Sequence, residues 1–168
     1  KMWAFILGGL FLGTVLGILY LAGRFAKFSW VRKTVGERKV FRFLTGLVLV
    51  IVIAGITGKA MGAINAEICI LHLLVIWLIC DGISKLVEKK RKKSFTRYYA
   101  GIAAILITIV YLTCGWYLAH HVWRTEYVLE TEKQVGSLRI VQFADSHVGN
   151  TFSGEEFLEL VKDMQAEN

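Results

Sequence analysis

The feature that most constrains this chain is an uncharged apolar run at residues 3–22. At 1.5 Å of rise per residue, a helix over these positions is about 30 Å long, which matches the hydrocarbon core of a bilayer. A cleaved signal peptide is the competing interpretation, but its charged leader would consist of Lys1 alone and its apolar core would be unusually long. The run therefore predicts a transmembrane helix.

Three further apolar runs are long enough to cross a bilayer, at residues 43–59, 63–83 and 98–119, and the run at residues 63–83 is the least regular because its ends are polar. With 55% hydrophobic residues, a mean hydropathy of +0.54 and no proline, a chain of 168 residues is too apolar for a water-soluble domain. We therefore predict a four-helix transmembrane anchor over residues 1–122, which interacts with the lipid bilayer.

The basic residues decide the predicted orientation. Seven lie in residues 24–42 and seven in residues 85–97, whereas the other connecting segments carry little net positive charge. Loops rich in Lys and Arg stay in the cytoplasm, so both chain ends are expected on the extracytoplasmic side. Because these residues flank apolar runs, the net charge of +7 predicts topology and not a nucleic-acid partner. Contact with anionic lipid headgroups is an alternative, but a general role in topology accounts for the loops more simply.

Ionisable residues in the third run raise the hypothesis of a transporter or proton relay. Glu67 and His72 are five residues apart, and five residues of helix turn through about 140°, so the two side chains lie on different faces. We favour an interfacial pair between Glu67 and Lys59 and assign no relay. Asp81, at the other end of the run, is likewise interpreted as interfacial.

Small residues and cysteines inside the runs are interpreted as packing residues. Gly9, Gly13 and Gly17 recur at four-residue spacing, which is typical of closely packed membrane helices, and packing within the chain is preferred to a dimer interface. The cysteines lack the spacing of a zinc site or a disulfide framework and are expected to be small buried apolar groups. They are Cys69, Cys80 and Cys114.

From residue 123 the composition changes to that of a soluble domain. Residues 127–132 alternate apolar and polar, and residues 138–144 are largely apolar, so we predict two strands. Ser153 and Glu156 have the spacing of a capping box, and the apolar residues that follow recur at helical period. The predicted fold class is an α-helical membrane domain of four transmembrane helices followed by the truncated start of an α/β domain, in the order strand, strand, helix.

The loop between the second predicted strand and the helix carries the candidate metal ligands. Asp145 and His147 are two residues apart, and a carboxylate with an imidazole offers the oxygen and nitrogen ligands that divalent metals accept. The spacing alone leaves a second interpretation open, in which Asp145 caps the loop and His147 is an ordinary loop residue.

Residues 138–149 (LRIVQFADSHVG) resemble the first motif of the calcineurin-like metallophosphoesterase family, in which an apolar strand leads into Asp-x-His and a glycine. Four spans before such a motif resemble the membrane-anchored bacterial members. The resemblance implies that Asp145 and His147 bind one of two divalent metal ions (Mn, Fe or Zn) and that residues 123–168 begin the phosphoesterase domain. It also implies a hydrolase in the bacterial cell membrane, acting through a metal-activated hydroxide.

The later motifs of that family, Gly-Asp and Gly-Asn-His, are not in this sequence. We therefore expect a fragment that is inactive by itself, with the remaining metal ligands beyond Asn168. The predicted function of the complete protein is a membrane-tethered, metal-dependent hydrolysis of phosphate esters, with a lipid-linked or envelope substrate favoured by the tether. The alternative is a small polytopic membrane protein with an extracytoplasmic binding or interaction module.

Overall fold

The computed structural model describes residues 2–133, 136, 139–144, 146–149 and 152–166. The regular secondary structure of these described residues is helical. In chain order they are α1 (Met2–Phe25), α2 (Ser29–Val35), α3 (Lys39–Met61), α4 (Ala63–Arg91), α5 (Tyr99–His120) and α6 (Gly154–Ala166).

Four helices, α1, α3, α4 and α5, are long and apolar enough to cross a membrane, and the chain is a multi-pass membrane protein. Each of the four predicted spans corresponds to one of these helices. Three of the helices are longer than the predicted runs: α1 continues to Phe25, α3 begins at Lys39 and α4 continues to Arg91. The short helix α2 lies in the first basic loop and was not predicted.

The chain divides into two compact units, Lys1–Leu112 and Thr113–Asn168. We call the first the N-terminal unit; α1, α3 and α4 pack on one another in it. Its core includes the buried residues Leu21, Val50 and Trp77, one from each of these helices. Other faces of the helices expose large apolar side chains, which is unfavourable in water and suits contact with lipid tails.

The face of α5 that enters this core is made of small residues. A side chain at Gly101 would contact Phe28 and Tyr98, so the absence of a side chain lets the start of α5 approach the turn after α1 closely. The buried residues of α5 are Ala100, Gly101, Ala104 and Thr108.

The predicted glycine seam on α1 is only partly a packing surface. At Gly17 an added Cβ would lie 2.7 Å from Leu74 of α4, so this glycine does sit at a helix contact. At Gly9 and Gly13 nothing lies within 4 Å of such a Cβ, so these two do not pack within the described chain. A close approach of two helix backbones instead occurs at Gly46 of α3, beside the carbonyl group of Ala22.

The turn between α3 and α4 consists of Gly62 alone, which has φ 86°. That value lies in a region that glycine adopts without the steric cost that a Cβ imposes. The N–H of Gly62 donates to the carbonyl oxygen of Gly58, so the turn closes α3 as well as opening α4.

The predicted strands are wrong, and with them the α/β fold class. Residues 127–132 and the described part of the second predicted strand, residues 139–144, form no ladder. Within the described residues the one recorded β pairing is an isolated bridge between Val148 and Phe152. Leu129 is 91% exposed and Ile140 is 76% exposed, so neither segment has a sheet face to bury. An alternating or apolar sequence favours a strand only when other strands pair with it, and one isolated hairpin is marginal in water.

Candidate functional site

The predicted metal loop is described only in part. Asp145 lies outside the described residues, so the prediction for its carboxylate stays a prediction. His147 is exposed and has φ 48°, a left-handed conformation that is uncommon for a residue with a side chain. Two residues later Gly149 has φ 88°, and its N–H donates to the carbonyl oxygen of Phe152 over 2.7 Å. Gly149 is therefore hydrogen-bonded to Phe152, which lies two residues before α6.

The start of α6 is the part of this region that the sequence predicted correctly. The N–H of Glu156 donates to the Ser153 hydroxyl oxygen over 3.2 Å, and the N–H of Ser153 donates to the Glu156 carboxylate over 2.8 Å. These are the two reciprocal bonds of a capping box, which satisfy N–H groups that a helix start leaves without partners. The hydrogen bond from the Ser153 N–H lowers the pKa of Glu156.

A complete metal site is not assembled by the described residues. Among them no three His, Cys, Asp or Glu side chains come together. The histidines at the end of α5 are engaged with their own helix, since His120 stacks on Trp116 and His121 stacks on Tyr117. Asp145 and His147 are suitable donor types, but two protein ligands would leave a divalent ion mostly hydrated. The described residues therefore supply no basis for a catalytic step through a metal.

The strongest polar arrangement in the N-terminal unit is instead a network around Asp81, which we call the Asp81 network. Asp81 is 6% exposed, and its carboxylate accepts hydrogen bonds from the hydroxyl groups of Tyr20 and Tyr98, each over 2.8 Å. Arg24 Nε lies 2.8 Å from the same carboxylate. The indole N–H of the fully buried Trp77 donates to the Tyr98 hydroxyl oxygen over 2.8 Å. The network thus joins α1, α4 and the residue before α5.

Charge and hydrogen bonding are both satisfied in this network. The guanidinium group of Arg24 neutralises the Asp81 carboxylate and also lies 4.4 Å from the centre of the Tyr20 ring. Partial burial raises the pKa of Tyr98, and the Asp81 carboxylate raises it further, so this hydroxyl stays a proton donor at neutral pH. Asp81 is therefore a buried structural group, and its interpretation as an interfacial residue understated its role.

A signal for this network was present in the sequence. Asp81 interrupts an apolar stretch, and an ionisable residue in such a stretch requires a partner. Tyr20 and Arg24 are four residues apart on α1, a spacing that places both on one face. The sequence does not show that this face meets Asp81, because the contacting residues are 61 and 57 positions apart along the chain.

The ionisable residues of the third run make separate contacts. The Thr14 hydroxyl donates to the Glu67 carboxylate over 2.9 Å, so Glu67 contacts α1. The predicted pair between Glu67 and Lys59 is not among the ion pairs of the described residues. His72 contacts the carbonyl oxygen of Ile68 through Nδ1 and stacks on Tyr111, with ring centres 5.4 Å apart. No hydrogen bond recorded for these described residues links Glu67 to His72.

Beside the Asp81 network lies an open cavity of about 310 Å³. Its wall is formed by the end of α1, the second half of α4 and the segment that leads into α5. Six of the lining residues are charged: Arg24, Lys27, Lys85, Arg97, Asp81 and Glu88. The chain as a whole matches no protein-family model, no curated protein and no solved structure.

Proposed function

We propose that this chain is the membrane anchor of a metal-dependent phosphoesterase and supplies the first two metal ligands, Asp145 and His147. The observation that carries the proposal is the order of features in residues 138–166. An apolar run leads into Asp-x-His and a glycine, and the capped helix α6 follows directly. The resemblance to the first motif of the calcineurin-like metallophosphoesterases rests on that order.

The number of metal ligands that this chain offers limits its part in the proposed enzyme. Asp145 offers a carboxylate and His147 an imidazole, and the remaining ligands must come from residues other than those described. A bound divalent metal supplies a hydroxide nucleophile and charge stabilisation to phosphate-ester hydrolysis. The role of α1, α3, α4 and α5 is to hold the site at the membrane surface, which favours esters that are themselves attached to lipid or envelope.

Substitution of the two proposed ligand residues in the full-length protein tests this function. We expect Asp145→Asn and His147→Ala each to lower kcat/KM for a chromogenic phosphate ester by about 100-fold or more, because a metal-bound nucleophile contributes several kcal/mol to the barrier. Activity is measured on purified protein with Mn²⁺, after chelation, and after metal is restored.

The matched control is His121→Ala, which removes an exposed histidine that contacts Tyr117 and Trp123. This variant should keep its activity. Hydrolysis that survives chelation would contradict the metal mechanism. If His147→Ala behaved as His121→Ala does, or if no phosphate ester were hydrolysed, the chain would be better described as a polytopic membrane protein with a binding module.

We also propose an orientation, with residues 24–42 and 85–97 in the cytoplasm and the segment after α5 on the extracytoplasmic side of a bacterial membrane. The support is the concentration of Lys and Arg in the two loops, which resist translocation. The metal loop would then lie outside the cytoplasm.

Cysteine labelling tests the orientation. In a background without the native cysteines, we expect Ser137→Cys to react with a membrane-impermeant maleimide in intact cells and Ser94→Cys to react only after the membrane is opened. The expectation follows from the positive-inside rule alone. Labelling of Ser94→Cys from outside with protection of Ser137→Cys would reverse the topology, and equal labelling of both from outside would exclude a single orientation.

A further inference from the structure

The cavity beside the Asp81 network has an excess of positive charge that the described protein does not neutralise. Four of its charged lining residues are cations and two are carboxylates. Both carboxylates are already engaged. Asp81 is paired with Arg24, and Glu88 accepts a hydrogen bond from the Phe95 N–H over 2.7 Å.

The three other cations of the cavity have no ion-pair partner among the residues that the structure describes. These cations are Lys27, Lys85 and Arg97. They come from three different segments, namely the turn after α1, the helix α4 and the segment before α5. These cations reach one cavity from separate segments of the chain. In an ordinary basic loop, by contrast, the charges follow one another along the sequence.

The surroundings of Lys27 affect the charge on its ammonium group. Its ammonium group lies 5.2 Å from the centre of the Tyr98 ring, at the edge of the Asp81 network. Partial burial lowers the pKa of Lys27, and the neighbouring Arg24 charge lowers it further. The positive charge of Lys27 is therefore less favourable here than in water, and an anion bound beside it would offset that effect.

The neutral donors of the cavity suit an oxyanion. Ser84 and Thr96 contribute hydroxyl groups to its lining, and the cavity lies at the start of α5. The first turn of a helix carries a partial positive charge and N–H groups that point away from the helix. No acidic residue occupies the first turn of α5 to satisfy that charge.

The place of the cavity along the helices indicates the source of the anion. It lies where α1 ends and α5 begins, which is the level of the headgroups for helices that cross a bilayer. Tyr98 and Tyr99 line it, and tyrosines concentrate at that level. A phospholipid there can place its phosphate in the cavity while its chains lie along the exposed apolar faces of the helices.

We propose that this cavity binds a phosphate group, held by Lys27, Lys85 and Arg97, and that the headgroup of an acidic phospholipid supplies it. The proposal concerns the N-terminal unit and does not depend on the phosphoesterase function. It replaces the general topological role that the sequence suggested for these three residues with a defined binding site.

Binding of short-chain lipids to the purified protein in non-ionic detergent tests the proposal. Dihexanoyl phosphatidylglycerol, dihexanoyl phosphatidylcholine and inorganic phosphate are titrated by calorimetry at constant ionic strength. We expect the acidic lipid to bind at least about tenfold more tightly than the zwitterionic one, because each basic residue near a headgroup changes affinity about fivefold.

Charge-removing variants locate the site. Lys27→Gln with Arg97→Gln should weaken binding of the acidic lipid by about 25-fold, and Lys85→Gln alone by about fivefold. The control Lys33→Gln with Arg38→Gln removes the same two residue types from exposed positions outside the cavity, and should change binding less than about twofold. All these residues are exposed, and the unfolding temperature without lipid checks that each variant is folded.

The outcomes of this experiment answer two separate questions: whether the cavity is a binding site, and whether a lipid or a soluble compound supplies the phosphate. Displacement of the lipid by inorganic phosphate at similar concentration would keep the site and assign it to a soluble phosphate. Equal losses in the cavity variants and the control would reduce the effect to diffuse attraction and overturn the proposal. Absence of binding by both the acidic lipid and inorganic phosphate would overturn it as well.

Discussion

Replacement of Asp81 by alanine is expected to lower the free energy of unfolding of the N-terminal unit by about 3–5 kcal/mol. The carboxylate is buried and is the shared acceptor for Tyr20, Tyr98 and Arg24. Its removal leaves a largely buried guanidinium group without its counter-charge and two hydroxyl groups without an acceptor. Breaking a buried pair from one side costs more than the pair contributes, because the remaining charge stays desolvated.

Unfolding of the protein by sodium dodecyl sulfate in mixed micelles, followed by near-UV circular dichroism, measures this loss. The matched control is Glu37→Ala, in which the carboxylate is 77% exposed and lies 3.4 Å from Arg32 and 3.8 Å from Arg42. Exposed pairs of this kind contribute about 0–1 kcal/mol. An Asp81→Ala loss no larger than that of Glu37→Ala would show that the network is not stabilising.

A double-mutant cycle with Arg24→Leu separates the ion pair from the tyrosine contacts. If Arg24 and Asp81 interact as the geometry indicates, the double variant loses less than the sum of the two single variants. Strict additivity would contradict a direct pair and leave the hydroxyl contacts as the source of any loss.

The spans could be predicted because apolar length is a local property of the sequence. Residues 3–22 and 98–119 needed no knowledge of the rest of the chain, and both correspond to helices of the structure. The helix ends were less accurate, since α3 begins at Lys39 and α4 continues to Arg91. Charged residues end an apolar run without ending a helix, because their side chains reach the headgroup region or water.

The errors concern features that depend on partners far along the chain. Residues 127–132 have the alternation of a strand, but a strand needs a neighbour, and the described chain provides none. The Asp81 network was missed for the converse reason, since it depends on which faces of α1 and α4 meet. The capping box of α6 was predicted correctly because Ser153 and Glu156 satisfy each other within one turn.

Glycine spacing was an equally local signal, and of the three glycines that it indicated only Gly17 lies at a helix contact. Gly9 and Gly13 have the regular spacing but have open space around them, whereas the isolated Gly46 lies against the backbone of α1. Which glycine matters is decided by where two helix axes cross, and a single sequence does not contain that information.

Gly46→Val is accordingly expected to lower the free energy of unfolding by about 3 kcal/mol or more, at the upper end of overpacking effects. A Cβ at this position would fall on the carbonyl oxygen of Ala22, 3.0 Å from the carbonyl carbon and 3.2 Å from Cα. All three atoms belong to the backbone of α1, which cannot rotate away as a side chain would. The substitution must therefore separate α1 from α3, and the same detergent titration measures the loss.

The control for this separation is Gly55→Val on the same helix, where nothing lies within 4 Å of an added Cβ. Both substitutions add the same side chain to α3 and change its intrinsic helix propensity alike, so their difference isolates the contact with Ala22. The smaller change Gly46→Ala should already be destabilising, because the Cβ alone creates the clash. Equal stability of Gly46→Val and Gly55→Val would mean that α1 and α3 do not cross at this glycine.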